Sequence, residues 1–190
     1  MLRQKLFQYR SYTPIPFLIA TLVLAHPTTR TMLTGAFIAA VGELTRFWGV
    51  AYAGSLTRVM SVGAPEVIVA GPFAYVRNPL YIGNVLMYAG IGIMSNALFP
   101  WLIVMTVLWF GFQYSLIVSV EEEFLQKEFG AAYLEFRKNV PRFFPRLTRY
   151  ESPAQAGQPP RWIEALHSER RTLQALGAVI LILFVLWYRG

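Results

Sequence analysis

No cysteine occurs among the 190 residues, which excludes a disulfide framework and any thiolate-bound metal. Histidine is nearly absent too. His26 and His167 are the two present, and with no ligand partner at useful spacing they read as loop and surface residues; no metal site is expected. Charge is the third shortage: Asp, Glu, Lys and Arg make up 14% of the chain, against about a quarter in soluble domains, which points to a membrane protein. What charge there is has a sign, with 17 basic and 10 acidic residues for a net +7. A basic nucleic-acid binder would not carry several uncharged apolar runs, so no nucleic-acid partner is expected. Basic loops on an anionic membrane face fit better. A cleavable signal peptide is not expected, since no A-x-A-like site closes the first apolar run.

What is abundant is apolar and aromatic, 55% and 15% of the chain. Residues 1–13 are basic and aromatic and read as an interfacial lead-in. The first apolar run, from Pro14 and Pro16 to Ala25, is short for a span of about 20 residues. The second, Thr31–Ala53, is long enough but contains Glu43 and Arg46. Charges inside a span are costly and are expected to face protein or a polar cavity and to pair; at i and i+3 they share a helix face. They read either as an ion pair that pins a helix or as the lining of a polar pocket, and a helix ending near Glu43 would put both at the interface. The third run is Leu80–Met94. Ser95-Asn96 is a turn, and Ala97–Val120 runs back as a fourth helix to form an antiparallel hairpin. After Glu121-Glu122-Glu123 the pattern continues through Phe124–Asn139 as an amphipathic helix, interrupted by Gly130, where close packing is expected, and stopped at Val140-Pro141. Residues 151–161 have the composition of a linker. Trp162–Leu173 reads as amphipathic, with His167, Glu169, Arg170 and Arg171 solvated, and Leu176–Tyr188 as a last apolar helix.

The expected fold is therefore an all-α integral membrane protein. It has four core transmembrane helices including the hairpin, a cytoplasmic amphipathic helix and a fifth, C-terminal apolar helix. The expected division is a core over 1–150, a linker over 151–161 and a C-terminal segment over 162–190. Basic residues place the N-terminus, the loop around Arg58 and Arg77, and the 121–171 segment on the cytoplasmic side.

One stretch concentrates polar, aromatic and turn residues between the apolar runs: Gly71-Pro72-Phe73-Ala74-Tyr75-Val76-Arg77-Asn78-Pro79-Leu80-Tyr81-Ile82-Gly83. Gly71-Pro72 marks a turn. Asn78 reads as an N-cap and Pro79 as the first helical residue. Tyr81, Asn84 and Tyr88 then line one face, and Gly83 permits close approach of a backbone or ligand. Read without further context, this is a well-made helix start with an Arg at the headgroups, and Glu121–Glu123 is a helix-end charge run. Topology brings the two polar groups to the same end of the hairpin, which is a site geometry.

The string from Gly71 through Tyr75, Arg77, Pro79, Tyr81 and Gly83, followed by Glu121-Glu122, then Leu125, Phe129-Gly130 and Tyr133, then Val140-Pro141 and Pro145, resembles the integral membrane methyltransferases. These are the isoprenylcysteine carboxyl methyltransferases and their phospholipid methyltransferase relatives. Gly42-Glu43-Leu44-x-Arg46 is similar to the carboxyl methyltransferase group. The resemblance covers roughly residues 35–146. It implies S-adenosylmethionine bound at the cytoplasmic end and a lipophilic acceptor entering from the lipid bilayer. By that resemblance Tyr75, Arg77, Asn78, Pro79, Tyr81, Gly83, Glu121 and Glu122 build the cofactor site. Glu43, Arg46 and Tyr133 face the acceptor, and Arg46 and Glu122 carry catalysis. The sequence departs from the family at Asn78, where His is usual, and at Phe136, where a second Tyr is usual. Asn keeps a donor and an acceptor but no titrating ring. Sterol-type reductases that bind NADPH share part of the Arg77–Gly83 string, and a non-catalytic lipid-binding protein is a third reading.

Overall fold

The computed structural model describes residues 9, 12–54 and 66–189. The N-terminal lead-in and the loop around Arg58 lie outside the described residues. Among the described residues five α-helices follow in order: α1 (Ile15–Val23), α2 (Thr29–Ala53), α3 (Pro79–Ser95), α4 (Trp101–Asn139) and α5 (Trp162–Arg189). Short 3-10 turns stand at Gly71–Ala74 and Pro153–Gly157. The described residues are thus all-α, and α4 and α5 are each long and apolar enough to cross a membrane. α1 has nine residues, a rise of about 14 Å against a hydrocarbon core of about 30 Å.

α2 starts earlier than its apolar run. Thr28 accepts from the Thr31 backbone N–H at 3.2 Å while the Thr31 hydroxyl accepts from the Thr28 N–H at 2.9 Å, so two otherwise unpaired donors satisfy each other's side chains. Its partner is α3, not through large side chains but through their absence. Gly35, Gly42 and Gly49 recur every seven residues on α2, and Gly83 and Gly90 at the same interval on α3. A Cβ at Gly83 would lie 2.6 Å from the Gly42 carbonyl oxygen, and one at Gly42 would lie 2.5 Å from the Met87 nitrogen. Backbones this close gain dispersion along their length without a solvent-driven term, the usual basis of helix association in lipid. Gly83 was expected to let a backbone or a ligand approach closely; it is the backbone of α2, with Arg46, that fills its Cβ direction.

This seam carries a direct prediction. Gly90→Leu drives a side chain into the backbone of Ala39 and Gly35, and overpacking of this kind costs about 1–3 kcal/mol or more. Gly177→Leu, on a face with nothing within 4 Å, is expected to be neutral. Thermal unfolding of the two variants in detergent, followed by size exclusion, checks the difference.

α4 pairs with α3 in the opposite direction. Tyr81 meets Tyr114 with ring centroids 4.6 Å apart and Tyr88 meets Phe110 at 4.7 Å. The helix does not stop at Glu121–Glu123. Its 39 residues rise about 58 Å, so half of it extends past the apolar stretch. At Gly130 the backbone turns to φ 51°, ψ −119°, a region open to glycine and costly to other residues. No atom comes within 4 Å of a Cβ placed there. The glycine serves backbone conformation, not the close packing expected of it. The kinked end lays Tyr133, Phe136 and Val140 over Val69, Phe73 and Ala53, so these side chains pack on protein.

The stretch expected as a linker is tied down. The Gln158 side chain accepts from the Val69 and Ala70 N–H groups at 2.9 and 3.2 Å and donates to the Val67 carbonyl at 2.9 Å. Gln155 donates to the Val69 and Tyr150 carbonyls. Arg161 N–H then bonds the Ala51 carbonyl at 2.7 Å. This seats α5 beside the end of α2 as one continuous helix where two segments were expected.

Candidate functional site

The Gly71–Asn78 stretch is held by main-chain bonds to residues that follow α4. Gly71 takes φ 59°, with the Tyr52 ring occupying the space of a Cβ, so only glycine fits. Arg77 N–H donates to the Pro141 carbonyl, Arg146 N–H to that of Tyr75 and Tyr150 N–H to that of Ala74, at 2.9, 3.0 and 2.9 Å. Asn78 does not cap α3 with its side chain. Its amide donates to the Arg142 carbonyl at 3.1 Å, and Pro79 alone sets the helix start. The expectation of an Asn cap is corrected: the amide reaches across to the segment that follows α4 and satisfies the Arg142 carbonyl there.

These bonds bring Arg77 and Arg142 to the same carboxylate. Glu122, 5% exposed, meets Arg77 Nη1 at 3.1 Å and Arg142 Nε at 3.2 Å, and Arg142 Nη2 bonds its other oxygen. Two guanidinium groups thus converge on one carboxylate. Arg77 Nε is buried with no acceptor among the described residues, a costly condition for a charged donor. Tyr133, beyond the apolar half of α4, has its hydroxyl pushed up to about 12 by burial first and by the Glu122 charge second, so it stays a protonated phenol. Glu121 sits one residue away and accepts from the Tyr81 hydroxyl at 2.7 Å. Tyr75 is half-buried and its ring faces Trp48, with centroids 6.3 Å apart.

A second cluster lies deeper, where α2, α3 and α5 meet. Arg46 Nε is 3.4 Å from Glu43, and Arg46 Nη2 is 2.8 Å from Glu169. The remaining Arg46 nitrogen bonds the Asn84 side-chain oxygen. The hydroxyl of Tyr114 lies within hydrogen-bonding reach of Asn84 and of the hydroxyl of Tyr88. One cation thus stands between two carboxylates, where the first cluster sets two cations on one. Arg46 and Glu43 pair as their spacing requires, but Arg46 is enclosed and is not open to hold a substrate carboxylate.

Glu169 was expected in solvent and is 1% exposed. The signal was present in the sequence: Ala165, Glu169, Thr172, Leu176, Val179 and Leu183 lie on one face at helical spacing, and Ala165, Val179 and Leu183 on it are buried. Extending the apolar stripe back by two turns reaches Glu169. Arg142 is a residue that sequence reasoning missed, since nothing local distinguishes it from other basic residues of an interfacial segment. Among the described residues no group of three or more His, Cys, Asp or Glu side chains is placed to hold a metal.

The chain is similar to the cobalt-zinc-cadmium resistance protein CzcN of Cupriavidus metallidurans, 27% identical over 146 residues, which cover 72% of this chain and 62% of that protein. It is similar to the nickel-cobalt-cadmium resistance protein NccN of Alcaligenes xylosoxydans xylosoxydans, 27% identical over 63% of this chain and 51% of that one. It is also similar to the protein-S-isoprenylcysteine O-methyltransferase of Schizosaccharomyces pombe, 33% identical over 43% of this chain and 34% of the yeast enzyme. The chain spans about half the length of the curated relatives it matches. No solved structure matches it. The family model for phospholipid methyltransferases matches residues 30–132, just over half of the chain, and takes in Glu43, Arg46, Arg77 and Glu122 but not Arg142 or Glu169; the chain belongs to the phospholipid methyltransferase family of membrane methyltransferases.

Proposed function

We propose that the protein transfers a methyl group from S-adenosylmethionine to a lipophilic acceptor at the cytoplasmic face of a membrane. The observation that carries this reading is the Arg77–Glu122–Arg142 group, where two guanidinium groups meet one carboxylate and the buried Arg77 Nε has no acceptor among the described residues. Such a group suits an anion, and the cofactor is an amino acid with a free carboxylate. The residues fit the cofactor, and when bound it supplies an activated methyl group on sulfur.

Arg77, with Arg142, would hold the cofactor's carboxylate, since guanidinium forks match carboxylates well. Glu121 and Glu122 would take its amino or ribose hydroxyl groups. Tyr75, Tyr81 and Tyr133 would offer aromatic faces to adenine or to the positive sulfur. Pro79 fixes where α3 begins and hence where Tyr81 stands, and Asn78 ties that start to Arg142. Alignment of nucleophile and methyl is the main requirement, and good orientation can supply several kcal/mol, up to about 7–11. Arg46, locked by Glu43, Glu169 and Asn84, would give a fixed charge on the acceptor side. A carboxylate acceptor needs no base. An amine must lose a proton, and Glu121 or Glu122 stands ready for that role.

The membrane arrangement proposed with this function has the hairpin of α3 and α4 crossing beside α2, with α5 as a further crossing. The basic 121–171 segment lies on the cytoplasmic side, consistent with the positive-inside bias. Calorimetric titration of the detergent-purified protein tests the reading. S-adenosylmethionine and S-adenosylhomocysteine are expected to bind saturably, with affinity reduced at least tenfold in Arg77→Ala. Binding of NADPH in their place would assign the protein to the reductases.

A further inference from the structure

Between α1, α3, α4 and α5 lies a cavity of about 350 Å³, within the range of roughly 300–1,000 Å³ usual for small-molecule sites. Its wall is apolar, with Phe17, Ile91 and Val179 among the lining side chains, and it includes Tyr88, whose hydroxyl lies beside the Arg46–Asn84–Tyr114 group. The cavity therefore abuts the deeper charge cluster through one shared residue. Much of its wall comes from α5, which lies beyond the family match. Arg171 of α5 also lines it. That guanidinium is exposed and has no carboxylate partner among the described residues. An unpaired cation at the wall of an apolar cavity suits an anionic head joined to an apolar body. Arg46 cannot fill that role, being already enclosed by Glu43 and Glu169.

We propose that this cavity binds the acceptor as a single-chain amphiphile, its hydrocarbon seated between α1, α3, α4 and α5 and its anionic group against Arg171, so that α5 selects the acceptor. The proposal rests on the methyl-transfer reading for the word acceptor. Its test does not depend on it, because binding is read without the cofactor.

The probe is a palmitic acid carrying a diazirine on its chain, photolysed with the full purified chain in detergent and mapped by peptide mass spectrometry; the matching diazirine alcohol is the neutral control. Labels are expected on peptides bearing Thr21, Ile91 and Thr106, which face the cavity, with the acid labelling at least fivefold more than the alcohol. Ala175→Phe, which fills the cavity from α5, is expected to lower labelling at least tenfold. Arg171→Gln, an exposed substitution that leaves packing alone, is expected to abolish the preference for acid over alcohol. Competition by unlabelled palmitate but not by an alkyl phosphate would identify the anion as a carboxylate, and the reverse order as a phosphate. Labels confined to outward residues such as Leu33 and Phe37, equal labelling by acid and alcohol, or full labelling in a folded Ala175→Phe would overturn the proposal. Adenosylmethionine titration of the same samples separates the two ideas. Cavity labelling without cofactor binding would reject the methyl-transfer reading and leave the amphiphile site standing, and the reverse result would reject the site alone.

Discussion

Glu122→Gln is expected to abolish cofactor binding and to lower the unfolding temperature by roughly 6–20 °C, taking about 2–4 °C per kcal/mol for a chain of this size. The side chain is 5% exposed, and both Arg77 and Arg142 end on it. Glutamine keeps the volume and one acceptor oxygen but removes the counter-charge, leaving two cations without one. Breaking a buried ion pair by losing one partner costs about 3–5 kcal/mol, most of it the penalty on the charge left behind. Arg142 is one-third exposed and can turn to water. Arg77 is one-tenth exposed and cannot, so most of the penalty falls there. Arg142→Gln should accordingly cost much less than Arg77→Gln, and a thermal-shift series over the three variants checks the order. Equal stability of Glu122→Gln and wild type would show that this carboxylate does not neutralise the pair.

Arg46→Leu is the second large effect. It leaves Glu43 and Glu169 buried and facing each other with no cation between them. The charge left over is again buried, so the expected loss is about 3–5 kcal/mol. The test is rescue. In Arg46→Leu with Glu169→Gln, one of the two uncompensated charges is gone, and part of the loss should return. Coupled neighbours typically show interaction energies of about 0.5–3 kcal/mol. Strict additivity of the two substitutions would mean that Glu169 does not answer Arg46 and that α5 is held by its apolar contacts alone. A loss of acceptor methylation in Glu169→Gln, with adenosylmethionine binding retained, would place this residue on the acceptor side of the site.

Local chemistry made much of this legible. The Glu43–Arg46 spacing, the stop at Val140-Pro141 and the meeting of the Arg77 and Glu122 segments each follow from a helical repeat or a turn residue. The glycines of α2 and α3 were visible one by one, but their common interval of seven becomes a seam only when both helices are in place. Asn78 was read by the commonest use of its residue type before a helical proline. Its real partner, the Arg142 carbonyl, lies 64 residues away and carries no local trace. Gln155 and Gln158 illustrate the same limit. Their composition reads as linker, and the backbone of Val67, Val69 and Ala70 that their amides bind lies 86–91 residues away. Glu169 differs from these, because a longer helical stripe would have found it.

The central claim is methyl transfer carried by the Arg77–Glu122–Arg142 group. Membranes containing the wild-type chain, incubated with methyl-labelled S-adenosylmethionine and then extracted with organic solvent, measure it directly. The account predicts label in the extract from wild type and, from Glu122→Gln expressed to the same level, a signal no higher than that of membranes lacking the protein. Equal label from the wild type and from membranes without it, or full label from the folded variant, would contradict the account.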